Sequence, residues 1–183
     1  MRIVGGTFKG RTLKAPDTGL TRPTSDRARE ALFNILSSYL LKTDNNWADI
    51  VFADIFAGSG AVGTEALSRG AQKVFFVERN KEAIVCIRQN TKGITGAEIL
   101  CTDALELPVL KIPCDIIFMD PPYQTRLGEK VLAHLPQKGW LKEDALIIIE
   151  VEKNEKPILP DGFVLKEERT YGKGKLIFCQ KSV

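Results

Sequence analysis

The sequence predicts an α/β fold, a Rossmann-like and mostly parallel sheet flanked by helices, and three observations carry that expectation. From residue 50 onward, short β-branched and aromatic runs alternate with stretches of helical periodicity, as strands joined by crossover helices require. The first of these runs leads directly into Gly58-Ser59-Gly60, a tight turn that opens a helix. The last two runs flank Gly172-Lys173-Gly174-Lys175 with no helix between them, which reads as an antiparallel hairpin closing one edge of the sheet.

In chain order, residues 1–15 read as a small hairpin, Arg2-Ile3-Val4 against Thr12-Leu13-Lys14, with its turn at Gly5-Gly6. A turn-rich stretch runs from Pro16 to Pro23. Thr24 or Ser25 then caps a helix reaching about Leu41, its apolar stripe being Ala28, Ala31, Leu32, Ile35 and Leu36. The main domain is expected to span 47–183, with 1–46 as a basic appendage. Within it, residues 50–56, 73–77, 98–101, 115–119 and 146–151 read as strands and 62–69, 81–91 and roughly 125–135 as helices; 163–171 and 176–180 form the terminal hairpin.

Composition narrows the class. At 183 residues, 44% hydrophobic and 27% charged, the chain suits one soluble domain with a small addition. No apolar run approaches the ~20 residues of a membrane span, and the opening Met1-Arg2-Ile3-Val4-Gly5-Gly6 lacks a signal-peptide core. Cys86, Cys101, Cys114 and Cys179 are scattered, with His134 the single histidine. That argues against a zinc site or disulfide framework and for reduced, buried thiols in a cytoplasmic protein; His134 reads as structural or surface. Net charge is +3, yet residues 1–29 carry seven basic and two acidic side chains, while the remaining 154 carry nineteen and twenty-one. The whole positive surplus therefore lies at one end, an electrostatic footprint for a polyanion. Arg2, Lys9, Arg11 and Arg22 are the expected contacts, Arg27 and Arg29 being candidates to pack inward on the helix.

Glycines 58, 60 and 63, preceded by Phe56-Ala57, permit a tight turn, close approach by a ligand and close helix-to-strand packing. Glu78 ends the next strand eighteen residues past Gly60, where a carboxylate accepts both hydroxyls of a ribose; Arg79 follows it. Formally this is a dinucleotide fingerprint. Asp54, however, stands just before the glycines and would repel a diphosphate while attracting an ammonium or a sulfonium. S-adenosylmethionine, a cationic nucleoside without phosphate, fits better than NAD. Asp103, followed by Ala104, suits an adenine amine. Each acid alone could be a helix cap; three at successive strand ends beside a glycine loop point to a nucleoside.

Asp120-Pro121-Pro122-Tyr123 follows a buried-looking strand, so it belongs at a strand's carboxyl end, where open α/β sheets place ligands. Two prolines supply no N–H and stiffen the segment. What remains is a carboxylate, carbonyl oxygens and an aromatic ring: acceptors for an exocyclic NH₂ and a face for a planar base.

These residues resemble the RsmD-like family, bacterial methyltransferases of the guanine N2 amine in 16S ribosomal RNA. The similarity covers essentially the whole chain. Its specific part is the opening: Arg2-Ile3-Val4-Gly5-Gly6, Lys9-Gly10-Arg11, Arg22-Pro23-Thr24, Asp26-Arg27 and Arg29-Glu30-Ala31-Leu32-Phe33-Asn34. Phe56-Ala57-Gly58-Ser59-Gly60, Glu65-Ala66-Leu67-Ser68-Arg69-Gly70, Asp120–Tyr123 and Gly139-Trp140-Leu141 continue it. The resemblance implies the class I methyltransferase fold, seven strands with the last antiparallel. It implies S-adenosylmethionine as cofactor and 16S rRNA or the small ribosomal subunit as partner; the chain is further expected to be a monomer with no metal and no membrane. Asp120 and the Pro121 carbonyl would accept the amine's hydrogens and Tyr123 would stack on the base, while the arm holds RNA and the glycine loop holds cofactor independently. Three rivals fit less well. An NAD oxidoreductase leaves Asp120–Tyr123 unexplained, a DNA or RNA adenine-N6 methylase shares the chemistry but not the opening signature, and a non-catalytic RNA-binding module leaves the acidic strand ends idle.

Overall fold

The computed structural model describes residues 1–16, 26–122, 125–156 and 158–182. Seven strands form one sheet: β1 Val51–Ile55, β2 Lys73–Glu78, β3 Ala97–Cys101, β4 Cys114–Met119, β5 Leu141–Glu152, β6 Phe163–Tyr171 and β7 Gly174–Lys181. Their order across the sheet is β3-β2-β1-β4-β5-β7-β6. The first five are mutually parallel; β7 runs antiparallel to both β5 and β6, so the last strand lies inside the sheet and β6 takes the edge. The helices are α1 Asp26–Lys42, α2 Ala61–Ser68, α3 Lys81–Asn90 and α4 Leu127–His134.

Both faces of the central strands are covered, which is why they read as unbroken apolar runs: all five residues of β1 are buried. On one face Phe52, Phe76, Phe118 and Ile148 pack with Leu32, Phe33 and Leu36 of α1, Val62 and Ala66 of α2 and Ile87 of α3. On the other, Ala53, Phe75, Ile117 and Ile149 meet Val131 and Leu132 of α4 and the fully buried Trp140. The indole N–H of Trp140 is satisfied by the Pro108 carbonyl at 2.8 Å. Residues 26–42, assigned from sequence to the appendage, thus share a core with the sheet.

Several expectations need correction. The stripe of α1 is Ala28, Arg29, Leu32, Phe33, Leu36 and Leu40; Ala31 is exposed. Arg29 occupies a buried helical position because Asp26 pairs with it at 2.8 Å and Glu65 lies 3.7 Å from its Nε. The expected caps, Thr24 and Ser25, lie outside the described residues. The N-terminal hairpin forms as expected but is short, pairing Arg2 with Thr12 while the Ile3 N–H donates to the Arg11 carbonyl and the Leu13 N–H to the Met1 carbonyl. Gly6 opens the connecting turn, its carbonyl accepting the Lys9 N–H, and at φ +76° it also packs so closely on α2 that a Cβ would lie 1.9 Å from the Ser68 carbonyl oxygen. β5 begins five residues earlier than expected, since the polar Lys142, Glu143 and Asp144 continue the strand beside an irregularity in β4 between Cys114 and Ile116. Cys86, Cys114 and Cys179 are buried as free thiols, but Cys101 is exposed at the end of β3. His134 is exposed. No described helix is long and apolar enough to cross a membrane.

Candidate functional site

The chain leaves β1 toward β2 and β3 on one side, while β4 and β5 extend the sheet on the other. The crevice outside the carboxyl ends of β1 and β4 is therefore the topological switch point. A cavity of about 650 Å³ opens there, a size that accommodates a nucleoside-class ligand. Asp54, Phe56, Ala57, Gly58, Ser59, Glu78, Arg79, Asp103, Ala104, Asp120, Pro121 and Pro122 all line it. Tyr123 lies outside the described residues. Gly60 and Gly63 are not in the wall; they shape it. Gly60 precedes α2 at φ +72°, and a Cβ on Gly63 would lie 2.4 Å from the Phe76 ring, so only glycine lets α2 sit this close to β2.

Backbone donors fix the acids. The Gly58 N–H donates to Glu78 Oε2, and the Arg79 and Asn80 N–H groups donate to Oε1, each at 2.8 Å. Glu78 is thereby held rigid while each oxygen retains acceptor capacity. Phe56 stands at φ +65°, an uncommon conformation for a bulky residue. It is braced where Ala57 N–H donates to the Val77 carbonyl and Gly60 N–H to the Ala57 carbonyl. The Gly63 N–H, in the first turn of α2, donates to Asp54 Oδ2 at 2.8 Å. A helix N-terminus that would cradle a pyrophosphate is here already turned toward a carboxylate.

Burial pushes the Asp54 carboxyl up to about 7, against the opposing pull of the Gly63 N–H and with the Glu78 charge adding to it. Asp120 is likewise held well above the ordinary carboxylate range, by burial first and then by Glu150 and Asp54. Asp103 goes the other way. The Leu105 N–H and the Arg79 guanidinium at 2.7 Å stabilise its charge, so it also caps the short turn at Ala104–Glu106. The cavity therefore presents acidic acceptors to a ligand that brings cations or N–H donors.

Sequence reasoning missed part of the wall: Met1, Ala15 and Pro16 from the arm, and Asn80, Thr102, Leu105, Phe118 and Leu127. The last five are sequence neighbours of predicted residues; the first three are brought in by tertiary contacts with no local signal. Those contacts are specific. Glu65 Oε2 accepts the Val4 N–H, Ser68 Oγ donates to the Gly5 carbonyl and accepts the Phe8 N–H, and Thr7 N–H donates to the Ser68 carbonyl. Glu65 Oε1 also pairs with Arg69 at 2.9 Å. The arm is thus fastened to α2 and supplies Met1, Ala15 and Pro16 to the cavity wall. Of the four predicted RNA contacts, the Arg2 and Lys9 side chains are exposed, Arg11 is half-buried and donates to the Lys92 carbonyl at 3.1 Å, and Arg22 lies outside the described residues. Arg27 is exposed, whereas Arg29 packs inward.

The family model described as Conserved hypothetical protein 95 matches residues 1–180. The Haemophilus influenzae protein named Ribosomal RNA small subunit methyltransferase D is 36% identical over 179 residues, covering 94% of this chain and 89% of that one. Its Escherichia coli K12 namesake is 36% identical over 176 residues, 94% of this chain and 85% of that one. The solved structure of yhhF from Escherichia coli aligns with a TM-score of 0.83 at 34% identity, covering 100% of this chain and 98% of the other.

Proposed function

The chain belongs to the Conserved hypothetical protein 95 family and has the class I methyltransferase fold, and from that membership we propose that it methylates the exocyclic N2 amine of a guanine in 16S ribosomal RNA with S-adenosylmethionine. The observation that carries this reading is the meeting of Asp54, Glu78, Asp103 and Asp120-Pro121-Pro122 in one cavity at the switch point. The residues present fit the cofactor: Glu78 would hold the ribose hydroxyls, Asp103 the adenine amine, and Asp54 the cationic end. The cofactor supplies an electrophilic methyl group.

The residues of this chain do the rest. An aromatic amine is a poor nucleophile because its lone pair is delocalised into the ring. Asp120 and the Pro121 carbonyl would accept its two hydrogens and favour a pyramidal nitrogen. Burial and its acidic neighbours push the Asp120 carboxyl well above the ordinary range, and an N–H donor from the base would act the other way, favouring the ionised form that accepts. Tyr123 would stack on a base drawn out of its helix. Positioning and electrostatic fit supply most of the rate. The arm, residues 1–46, is the RNA-contacting region in this reading, and the enzyme works as a cytoplasmic monomer on rRNA or the small subunit. Incubation with methyl-labelled S-adenosylmethionine and 16S rRNA, free and in small subunits, followed by mapping of the modified base, should place the label on one guanine N2. Label on adenine N6 would instead establish the adenine-methylase alternative.

A further inference from the structure

We propose that Asn90 is a positioning residue that couples RNA binding on the arm to cofactor binding in the cavity, so that each ligand strengthens the other. Asn90 ends α3 and is only 3% exposed. All three of its side-chain hydrogen bonds go to main-chain atoms of two distant segments. Its Oδ1 accepts the Lys14 N–H at 2.8 Å, and its Nδ2 donates both to the Lys14 carbonyl and to the Ser59 carbonyl, each at 2.9 Å. One amide therefore holds Lys14 as a neighbouring strand would, and joins it to the glycine loop. The residues after Lys14, Ala15 and Pro16, form cavity wall, as does Ser59.

Two further contacts fasten the same segment. Arg11 donates to the Lys92 carbonyl just beyond α3, and Ile3 and Leu13 pack on Ala61, the first residue of α2. A ligand against Ser59, Ala15 and Pro16 favours the docked arm. A polyanion on Arg2, Lys9 and Arg11 favours an ordered arm as well. Both bias one element, which is what coupling requires, and coupling free energies are reciprocal. The buried amide makes the docked state discrete, since breaking it strands three main-chain partners. This inference rests on the proposed RNA role of the arm.

The test is calorimetric titration of S-adenosylhomocysteine into the protein with and without saturating 16S rRNA transcript, and the reciprocal RNA titration. In the wild type, each ligand should tighten the other by the same factor, about fivefold or more. In Asn90→Ala the factor should fall to about one while both ligands still bind. Asn90→Asp, which keeps the Lys14 acceptor but has no donor for the two carbonyls, is the second variant should the alanine form melt below assay temperature. A merely structural Asn90 would lower melting temperature and leave the coupling factor unchanged. RNA binding without coupling in the wild type, or coupling that survives in a folded Asn90 variant, overturns the proposal. The same titrations are run with small ribosomal subunits in place of the transcript, and absence of binding to both would overturn the underlying function as well, a result distinguishable from either of these.

Discussion

Asp54 shows how one side chain ties stability to ligand. Its carboxyl binds a proton more tightly folded than unfolded, with a pKa near 7 in place of the ordinary 3.8. Its contribution is therefore fully present below about pH 4 and is lost as pH rises through about 7, an effect of up to ~4 kcal/mol. Asp54→Asn keeps an acceptor for the Gly63 N–H but cannot ionise. Urea denaturation across about pH 5–8 should show a flatter profile and greater stability at the alkaline end. A cationic ligand favours the ionised wild-type group, so S-adenosylmethionine affinity should rise with pH through this range in the wild type and stay level in the variant. Glu78→Ala, which strands three backbone donors and removes the ribose acceptor, should weaken cofactor binding by ~1–3 kcal/mol in the same calorimetric assay. Asp120→Ala should abolish methylation while cofactor affinity stays within a few-fold; near-normal turnover would reduce the motif to a turn. Tyr123→Phe should retain activity and Tyr123→Ala should lose use of the base, because the ring face carries the stacking.

Among elements, α2 does two jobs at opposite ends. Its first turn meets Asp54 and its last turn anchors the arm through Glu65, Ser68 and the close approach of Gly6. Removing Glu65 leaves Arg29 buried without that carboxylate. Glu65→Ala should therefore cost about 3–5 kcal/mol by denaturant melts and render residues 1–16 newly sensitive to protease. The strand-end acids and the glycine loop were legible in sequence because their signal is local: a strand, a turn and a helix start close together along the chain. Docking of the arm was not. Val4 meets Glu65 61 residues away and Lys14 meets Asn90 76 residues away, and no periodicity signals such pairings. Gly5-Gly6 mark the hairpin turn, as glycine pairs do, but nothing local signals that Gly6 also packs against α2. Arg29 packs inward, as its place on the helix allows, but its partner Glu65 was not legible, since that residue belongs to a different helix.

Across the whole molecule, the basic segment of the chain supplies Met1, Ala15 and Pro16 to the cavity wall, so the proposed RNA contacts and the proposed cofactor site are neighbours. Replacing Arg2, Lys9, Arg11 and Arg22 with alanine should weaken rRNA binding and reduce its log–log salt slope by roughly 0.7–0.9 for each phosphate that is no longer neutralised. A folded quadruple variant with unchanged affinity and slope would remove the arm from RNA recognition.

Strand order has a consequence for how the chain is made. β7 is last in sequence but lies between β5 and β6. During synthesis, everything through β6 can leave the ribosome while the apolar edge of β5 still has no partner, and β6 has nothing to dock on. Residues 174–181 therefore act as a keystone rather than a trim piece. A nascent chain halted before them exposes a long hydrophobic edge to its neighbours. Chains truncated after residue 173 should collect in the insoluble fraction, and ribosome-stalled forms should become protease-resistant only once that final stretch has emerged.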